Sequence, residues 1–186
     1  MVAGLNHRTA PMDVRERLSM TKDQLPGALK ALKEALGCGV IISTCNRSEV
    51  YTVSWDPRRG RSALEGFISS YFGMPPQELA RYMYFKRHSE AVLHLFRVAS
   101  SLDSMILGES EILGQVRDAF AAASKAGTAE GPINGLFHQA LRVGKRARRE
   151  TAIGRNALSV SRACVELARR VLGDLHDRRV VVVGVG

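Results

Sequence analysis

The sequence predicts an α+β fold, a ferredoxin-like β-α-β-β-α-β unit followed by a helical segment. Three observations predict it. Short apolar or alternating runs at Val2–His7, Gly39–Ser43, about Glu49–Trp55 and Tyr82–Phe85 have strand length and period. Between them, apolar residues recur with the 3.6-residue spacing of helices packed on one face. From Ser89 onward the spacing is helical through four segments, until a valine run closes the chain.

Taken in order, Val2 to His7 is the first strand, and Ala10-Pro11 breaks it. Asp13 to Leu18 suits a short helical turn. Thr21 is the expected N-cap of a helix that Gly37 stops, with Leu25, Ala28, Leu29, Leu32 and Leu36 on its buried face. The strand at Gly39–Ser43 follows, then a polar loop, then a strand in which Tyr51, Val53 and Trp55 alternate to one side. Asp56-Pro57 ends that strand, and Ser62 is the expected cap of a helix to Phe72 with Leu64, Phe67, Ile68 and Tyr71 inward. Tyr82–Phe85 is the fourth strand. The later helices are read at Ser89–Ser100, Leu113–Ala126, Ile133–Thr151 and Asn156–Leu172.

With 186 residues and 45% hydrophobic content the chain can bury a sizeable core. No apolar run approaches the ~18 residues of a membrane span, and no signal-peptide pattern opens the sequence. Three irregularly spaced cysteines indicate neither a disulfide framework nor a Cys-x-x-Cys zinc site, so a reducing cytoplasm is expected. Of the net charge of +9, residues 142–179 hold +7. A regional excess of this kind suits a nucleic acid or another polyanion, although a solvated helix face has the same composition.

The end of the chain changes character. Val180–Val183 followed by Gly184-Val185-Gly186 has the pattern of the first strand and turn of a dinucleotide-binding fold. The third glycine, the helix and the acidic residue that complete this pattern are not in the sequence, which suggests a chain cut at the start of a second domain. The valine run is then a strand with no sheet to join, expected to be disordered or paired with another copy. Leu158, Val165, Leu167, Ala168 and Leu172 are expected to drive self-association for the same reason.

The richest chemistry lies in Ser43-Thr44-Cys45-Asn46-Arg47, with Glu49 and Tyr51 beyond it. A strand feeding a short polar loop presents one thiol in a fixed place, and a guanidinium two residues away favours the nucleophilic thiolate. A single Cys after a strand is otherwise a core residue, but its polar neighbours argue against a core position here. Cys38, between glycines, and Cys164, in an amphipathic helix, read as non-catalytic.

Four segments together resemble glutamyl-tRNA reductase: Gly4 to Pro11 with Arg15-Glu16, Ser43 to Arg47 with Glu49 and Tyr51, His94 to Val116, and Gly144 to Thr151. The Thr44-Cys45-Asn46-Arg47 and Gly108-Glu109-Ser110-Glu111-Ile112-Leu113-Gly114-Gln115 pieces are specific in combination. Two departures stand out. Ser101 replaces the glycine usual before Leu-Asp-Ser, and Ser110-Glu111 replaces a frequent Pro-Gln, adding a negative charge where a glutamyl substrate is expected.

The resemblance implies a catalytic domain over residues 1–152 that binds glutamyl-tRNA, a linker helix over 153–175, and the start of an NADPH-binding domain over 176–186. It implies that the Cys45 thiolate attacks the ester between glutamate and tRNA, and that NADPH reduces the thioester to glutamate-1-semialdehyde, the first step of the five-carbon route to tetrapyrroles. His94 is implied to assist proton transfer or thiolate formation. Thr44, Asn46, Arg47, Ser104, Glu109, Ser110, Glu111 and Gln115 are implied to bind substrate beside Cys45, with Arg47 taking the glutamate carboxylate. Taken singly, Ser104, Glu109 and Asp103 also suit helix-capping roles. Gly184, Val185 and Gly186 would touch the cofactor. Implied partners are glutamyl-tRNA, the glutamate-1-semialdehyde aminomutase that acts next, and a second copy in a full-length homodimer, with no membrane. Arg142, Lys145, Arg146, Arg148 and Arg149 would contact tRNA phosphates.

Two rival readings remain at this level. One is a tRNA-binding module without catalysis. The other is an unrelated thiol peptidase or acyltransferase, which would arrange Cys45, His94 and Asp103 as a relay.

Overall fold

The computed structural model describes residues 1–154, 160–181 and 183. In chain order it contains β1 (Val2–Asn6), α1 (Met12–Arg17), α2 (Leu25–Leu36), β2 (Val40–Thr44), β3 (Arg47–Tyr51), α3 (Pro57–Phe72), a single turn α4 (Pro76–Leu79), β4 (Tyr84–Lys86), α5 (His88–Ala99), α6 (Glu111–Lys125), α7 (Pro132–Glu150) and α8 (Val160–Leu172). The fold is α+β. Its four strands form one sheet in the order β2-β3-β1-β4, with every neighbouring pair antiparallel.

Both faces of this sheet are covered, which explains why all five residues of β1 are buried. The registers Val2↔Tyr51, Gly4↔Glu49 and Asn6↔Arg47 put those six residues on one face, joined by Val40, Ile42 and Thr44 of β2. Helices α5 and α7 cover that side: Tyr51 meets Phe137 edge-on at 5.4 Å between ring centroids, and Glu49 meets His94. On the opposite face Leu5, Ile41 and Val50 share an apolar pocket with Leu18, Ile68 and Phe72 from the α1 and α3 side. The helices after the fourth strand are thus the second cover of the sheet and belong to one continuous core with it.

Element boundaries differ from the sequence expectations for identifiable reasons. The second hairpin strand begins at Arg47 and ends at Tyr51, so Trp55, expected on one face of a strand reaching it, lies beyond the strand and is 98% exposed. Asp56 turns the chain early, because its carboxylate accepts from the Arg58 and Arg59 amides and caps α3, which starts at Pro57 and not at Ser62. Thr21 does bond reciprocally with Gln24, but the regular helix begins only at Leu25. The Leu25 amide reaches the Thr21 carbonyl at 3.1 Å, but Pro26 has no N–H to give the Lys22 carbonyl, so the ladder is interrupted at the next position. The fourth strand lies at Tyr84–Lys86, two residues later than expected, after the unanticipated turn α4. Asn156–Ser159, the expected start of the last helix, lie outside the described residues, as does Leu158 among the residues expected to self-associate. Val180, Val181 and Val183 are exposed and carry no strand, since none of the described strands lies beside them; Val182 lies outside the described residues.

One close approach decides what the sheet can hold. A Cβ at Gly4 would lie 2.5 Å from the Ser48 carbonyl oxygen and 2.8 Å from the Glu49 Cα. Glycine therefore leaves room for the Glu49 side chain, its cross-strand partner. Gly4→Ala should destabilise the protein by about 1–3 kcal/mol through overpacking, seen as a lower urea midpoint at unchanged slope.

Candidate active site

The polar loop expected between two strands is a two-residue hairpin turn, Cys45-Asn46, with Thr44 and Arg47 as its closing pair. Two-residue turns that match sheet twist ordinarily use positive φ. Neither Cys45 nor Asn46 has it, so side chains hold this turn. The Thr44 hydroxyl accepts from the amides of Asn46 and Arg47, each at 3.2 Å. The His7 amide donates to the Asn46 carbonyl at 2.9 Å. Arg15 of α1 donates to the Cys45 carbonyl at 2.8 Å and the Asn46 Oδ1 at 3.2 Å. Cys45 is exposed at the tip.

A cleft opens between this turn and the start of α6. Thr44, Cys45, Asn46 and Arg47 form one wall; Ser104, Glu109, Ser110, Glu111 and Gln115 form the other, with Met105, Ile106 and Ile112. All nine residues expected to bind substrate therefore line one cleft. The far wall is anchored by Glu109, whose carboxylate accepts from the amides of Glu111 at 2.8 Å and Ile112 at 3.1 Å and from the Ser104 hydroxyl at 3.2 Å. Glu109 thus caps the α6 N-terminus, where its charge also suits the helix dipole. Ser110 and Glu111 are exposed at the cleft mouth.

Behind Cys45 lies a buried polar cluster. Arg47 is a strand residue, 1% exposed, and not the free loop guanidinium expected for a substrate carboxylate. Its Nη1 donates to Glu49 at 2.5 Å, and its Nη2 donates to the Asp103 carboxylate at 3.2 Å and carbonyl at 2.5 Å. Asp103 closes this cluster and receives Arg8 at 3.2 Å as well. Glu49, fully buried, accepts from Tyr51 at 2.6 Å, from Tyr84, and from the Nε2 of His94 at 2.9 Å. Burial opposes the charge on Glu49, but the Arg47 guanidinium, His94 and Tyr51 overcome it and hold the carboxyl at about 2. Burial and the Glu49 charge push the Tyr51 and Tyr84 hydroxyls upward.

His94 does not line the Cys45 cleft. Its Nε2 is given to Glu49, and its ring borders a separate cleft with Tyr84, Lys86, Arg97 and Asp103. Arg148, expected on tRNA phosphate, instead turns its Nη2 to the Ser101 hydroxyl at 2.8 Å and to the Glu109 carbonyl. Arg142, Lys145, Arg146 and Arg149 are exposed on α7.

Sequence reasoning gave no role to Arg15 or Tyr84. Arg15 stands 30 positions from Cys45, and no spacing rule links the end of a short helix to a distant hairpin tip.

Gly184, Val185 and Gly186 lie outside the described residues. No strand, glycine turn and helix N-terminus of the dinucleotide type occurs among the described ones, and the α6 N-terminus is already filled by a carboxylate. The described residues therefore do not fit a nicotinamide nucleotide, and no hydride step is derived from them. No cluster of three metal-ligating side chains occurs among them, nor a helix long and apolar enough to cross a membrane.

Residues 3–151 match the family model described as glutamyl-tRNAGlu reductase, N-terminal domain. The glutamyl-tRNA reductase of Syntrophotalea carbinolica is 46% identical over 188 residues, covering 100% of this chain and 42% of the relative. That of Pelotomaculum thermopropionicum is 48% identical over 189 residues with the same coverage, 100% and 42%. The solved glutamyl-tRNA reductase from Methanopyrus kandleri superposes with a TM-score of 0.71 at 38% identity, over 95% of this chain and 41% of that one. The chain thus spans about 42% of the length of the curated relatives it matches.

The buried cluster makes a stability prediction. Glu49→Gln leaves the Arg47 charge under-compensated and should cost about 3–5 kcal/mol in denaturant titrations. The pH dependence has a fixed sign. The Glu49 carboxyl sits near 2 when folded against an ordinary 4.5, so the unfolded chain binds more protons between those values. Its contribution is complete above pH 4.5 and disappears as pH falls toward 2, and Glu49→Gln should flatten the stability profile in that window.

Proposed function

Because the chain belongs to the family of glutamyl-tRNA reductase N-terminal domains, we propose that it performs the thiol half of that enzyme's reaction. The Cys45 thiolate attacks the carbonyl carbon of the ester joining glutamate to the 3′-terminal ribose of tRNA. A C–S bond forms, the ester C–O bond breaks, and tRNA leaves with a proton, so that glutamate remains as a thioester. The single observation that carries this reading is the cleft uniting exposed Cys45 with Ser104, Glu109 and Gln115. In the full-length family enzyme the thioester would be reduced to glutamate-1-semialdehyde, at the entry to tetrapyrrole synthesis, with NADPH as the hydride source. No residue of this chain is assigned to that step.

The remaining site residues take roles their positions support. Thr44 holds the turn, Glu109 and Ser104 shape the far wall, and Gln115, Ser110 and Glu111 face the glutamyl group. Arg47 ties the strand behind Cys45 to Glu49 and to the Asp103 loop. His94 acts indirectly, fixing Glu49, which fixes Arg47. With its Nε2 given to Glu49, a Cys45–His94–Asp103 peptidase relay has no geometric support. The sheet order favours the ferredoxin-like arrangement, and the proposal carries with it residues 1–152 as the catalytic unit, 153–175 as linker and 176–186 as the beginning of a nucleotide domain. For the full-length protein the proposal adds a cytoplasmic homodimer, with the aminomutase as the partner that takes the product. Exposed Arg142, Lys145, Arg146 and Arg149 are assigned to tRNA phosphates.

Two outcomes follow. Incubation with tRNA charged with radiolabelled glutamate, without NADPH, should leave acid-stable label that hydroxylamine releases, and Cys45→Ser should remove it. Binding that ignores the glutamyl group and leaves no label would make the chain a tRNA-binding module. Lys145→Ala with Arg149→Ala should weaken binding of charged and uncharged tRNA alike, and lower the slope of log affinity against log salt by about 2.

A further inference from the structure

Arg15 lies outside the cleft lining, yet it is the side chain that grips the reactive turn from the α1 side. Nη1 reaches both the Cys45 carbonyl and the Asn46 Oδ1. Its Nε is buried without a hydrogen-bond partner, so these two bonds fix the guanidinium. The other contacts on the turn are local or act on its second residue. Thr44 binds the amides of Asn46 and Arg47, and His7 binds the Asn46 carbonyl. Only Arg15 holds the Cys45 peptide oxygen among the described hydrogen bonds. The turn needs such a hold, because its φ values do not match strand twist and its backbone alone does not set its orientation.

We propose that Arg15 is a positioning residue for Cys45. By anchoring the Cys45 carbonyl and the Asn46 amide oxygen, it sets the direction in which Sγ leaves the turn toward the wall formed by Ser104 and Glu109. Rotation of that peptide swings Sγ away from an ester carbonyl placed in the cleft, while leaving the thiol exposed and chemically intact. The assignment rests on Cys45 as the nucleophile. Lysine is a partial substitute, since its ammonium reaches the same acceptors without the planar fork that fixes an angle.

The test compares wild type, Arg15→Ala and Arg15→Lys in four measurements. Amide exchange should show faster exchange at Asn46 and Arg47 in Arg15→Ala. Alkylation of Cys45 by iodoacetamide, followed by mass spectrometry, should change less than about twofold, because a small reagent requires no fixed approach. Thioester formation from charged tRNA at saturating concentration should fall about 10- to 100-fold with half-saturation unchanged. Millimolar guanidinium or methylguanidinium chloride should restore part of the Arg15→Ala rate, as should Arg15→Lys. Equal losses in alkylation and thioester formation, a change confined to half-saturation, or failure of both rescues would overturn the assignment. A wild-type chain that forms no thioester overturns the functional reading instead. In that case unchanged exchange at Asn46 and Arg47 in Arg15→Ala overturns the positioning role independently.

Discussion

The structure depends on one buried ion pair. A guanidinium at Arg47 and a carboxylate at Glu49, on alternate positions of one strand, point to the same sheet face and bond at 2.5 Å. Removing either from water costs several kcal/mol, and only close pairing with further hydrogen bonds makes the burial tolerable. Asp103, Tyr51, Tyr84 and His94 supply those bonds from the 101–110 loop, the sheet and α5. Gly4 gives up a side chain so that the carboxylate fits against β1. The cluster thus ties the hairpin that carries Cys45 to the helices covering the sheet, and a displaced α5 or loop would leave a charge buried without a partner.

The opposite wall of the cleft is built on the same logic with weaker parts. Ser101 has a φ of +59°, a left-handed conformation that costs a non-glycine residue about 1–2 kcal/mol. Its hydroxyl offsets part of that cost by donating to the Glu109 carbonyl at 2.7 Å and receiving Arg148. Serine at a position the family usually fills with glycine therefore gains a link between the loop and α7 that glycine lacks. Gly108 closes the other end. Its φ of +80° and the Ile153 carbonyl, 2.0 Å from where a Cβ would sit, both require glycine. The loop that presents Ser104 and Glu109 is held by α7 and by the turn after it.

Much of this was legible in the sequence because it follows from period and local chemistry. The strands, the helical faces and the proximity of Thr44 to Arg47 needed only alternation, 3.6-residue spacing and the order of residues. Glu109 as a cap was readable from its place before α6. What spacing does not reveal is which charges meet. Arg47 and Asp103 stand 56 positions apart, and Arg15 and Cys45 stand 30 apart. A sequence shows that Arg47 follows Cys45 by two residues. It does not show that the shortest two-residue turn puts Arg47 inside the strand, facing the core. The same blindness assigned Arg148 to phosphate, since a helix rich in arginine looks uniformly solvated until one of its faces meets a loop. His94 was legible as an unusual polar residue on an apolar helix, but its partner was not.

The two guanidiniums beside Cys45 are electrostatically unequal. Arg47 is compensated inside the protein by Glu49 and Asp103, and Asp103 in turn is shared with Arg8. A substrate carboxylate arriving at Arg47 would add a third anion to a neutralised buried group. Arg15 has no carboxylate partner among the described residues, and both acceptors of its Nη1 are neutral amide oxygens. The positive charge without a carboxylate partner at the Cys45 turn is therefore on the α1 side. Arg15 directs that charge at the oxygens of the turn, outside the cleft lining, and the Arg47 cluster contributes rigidity more than field.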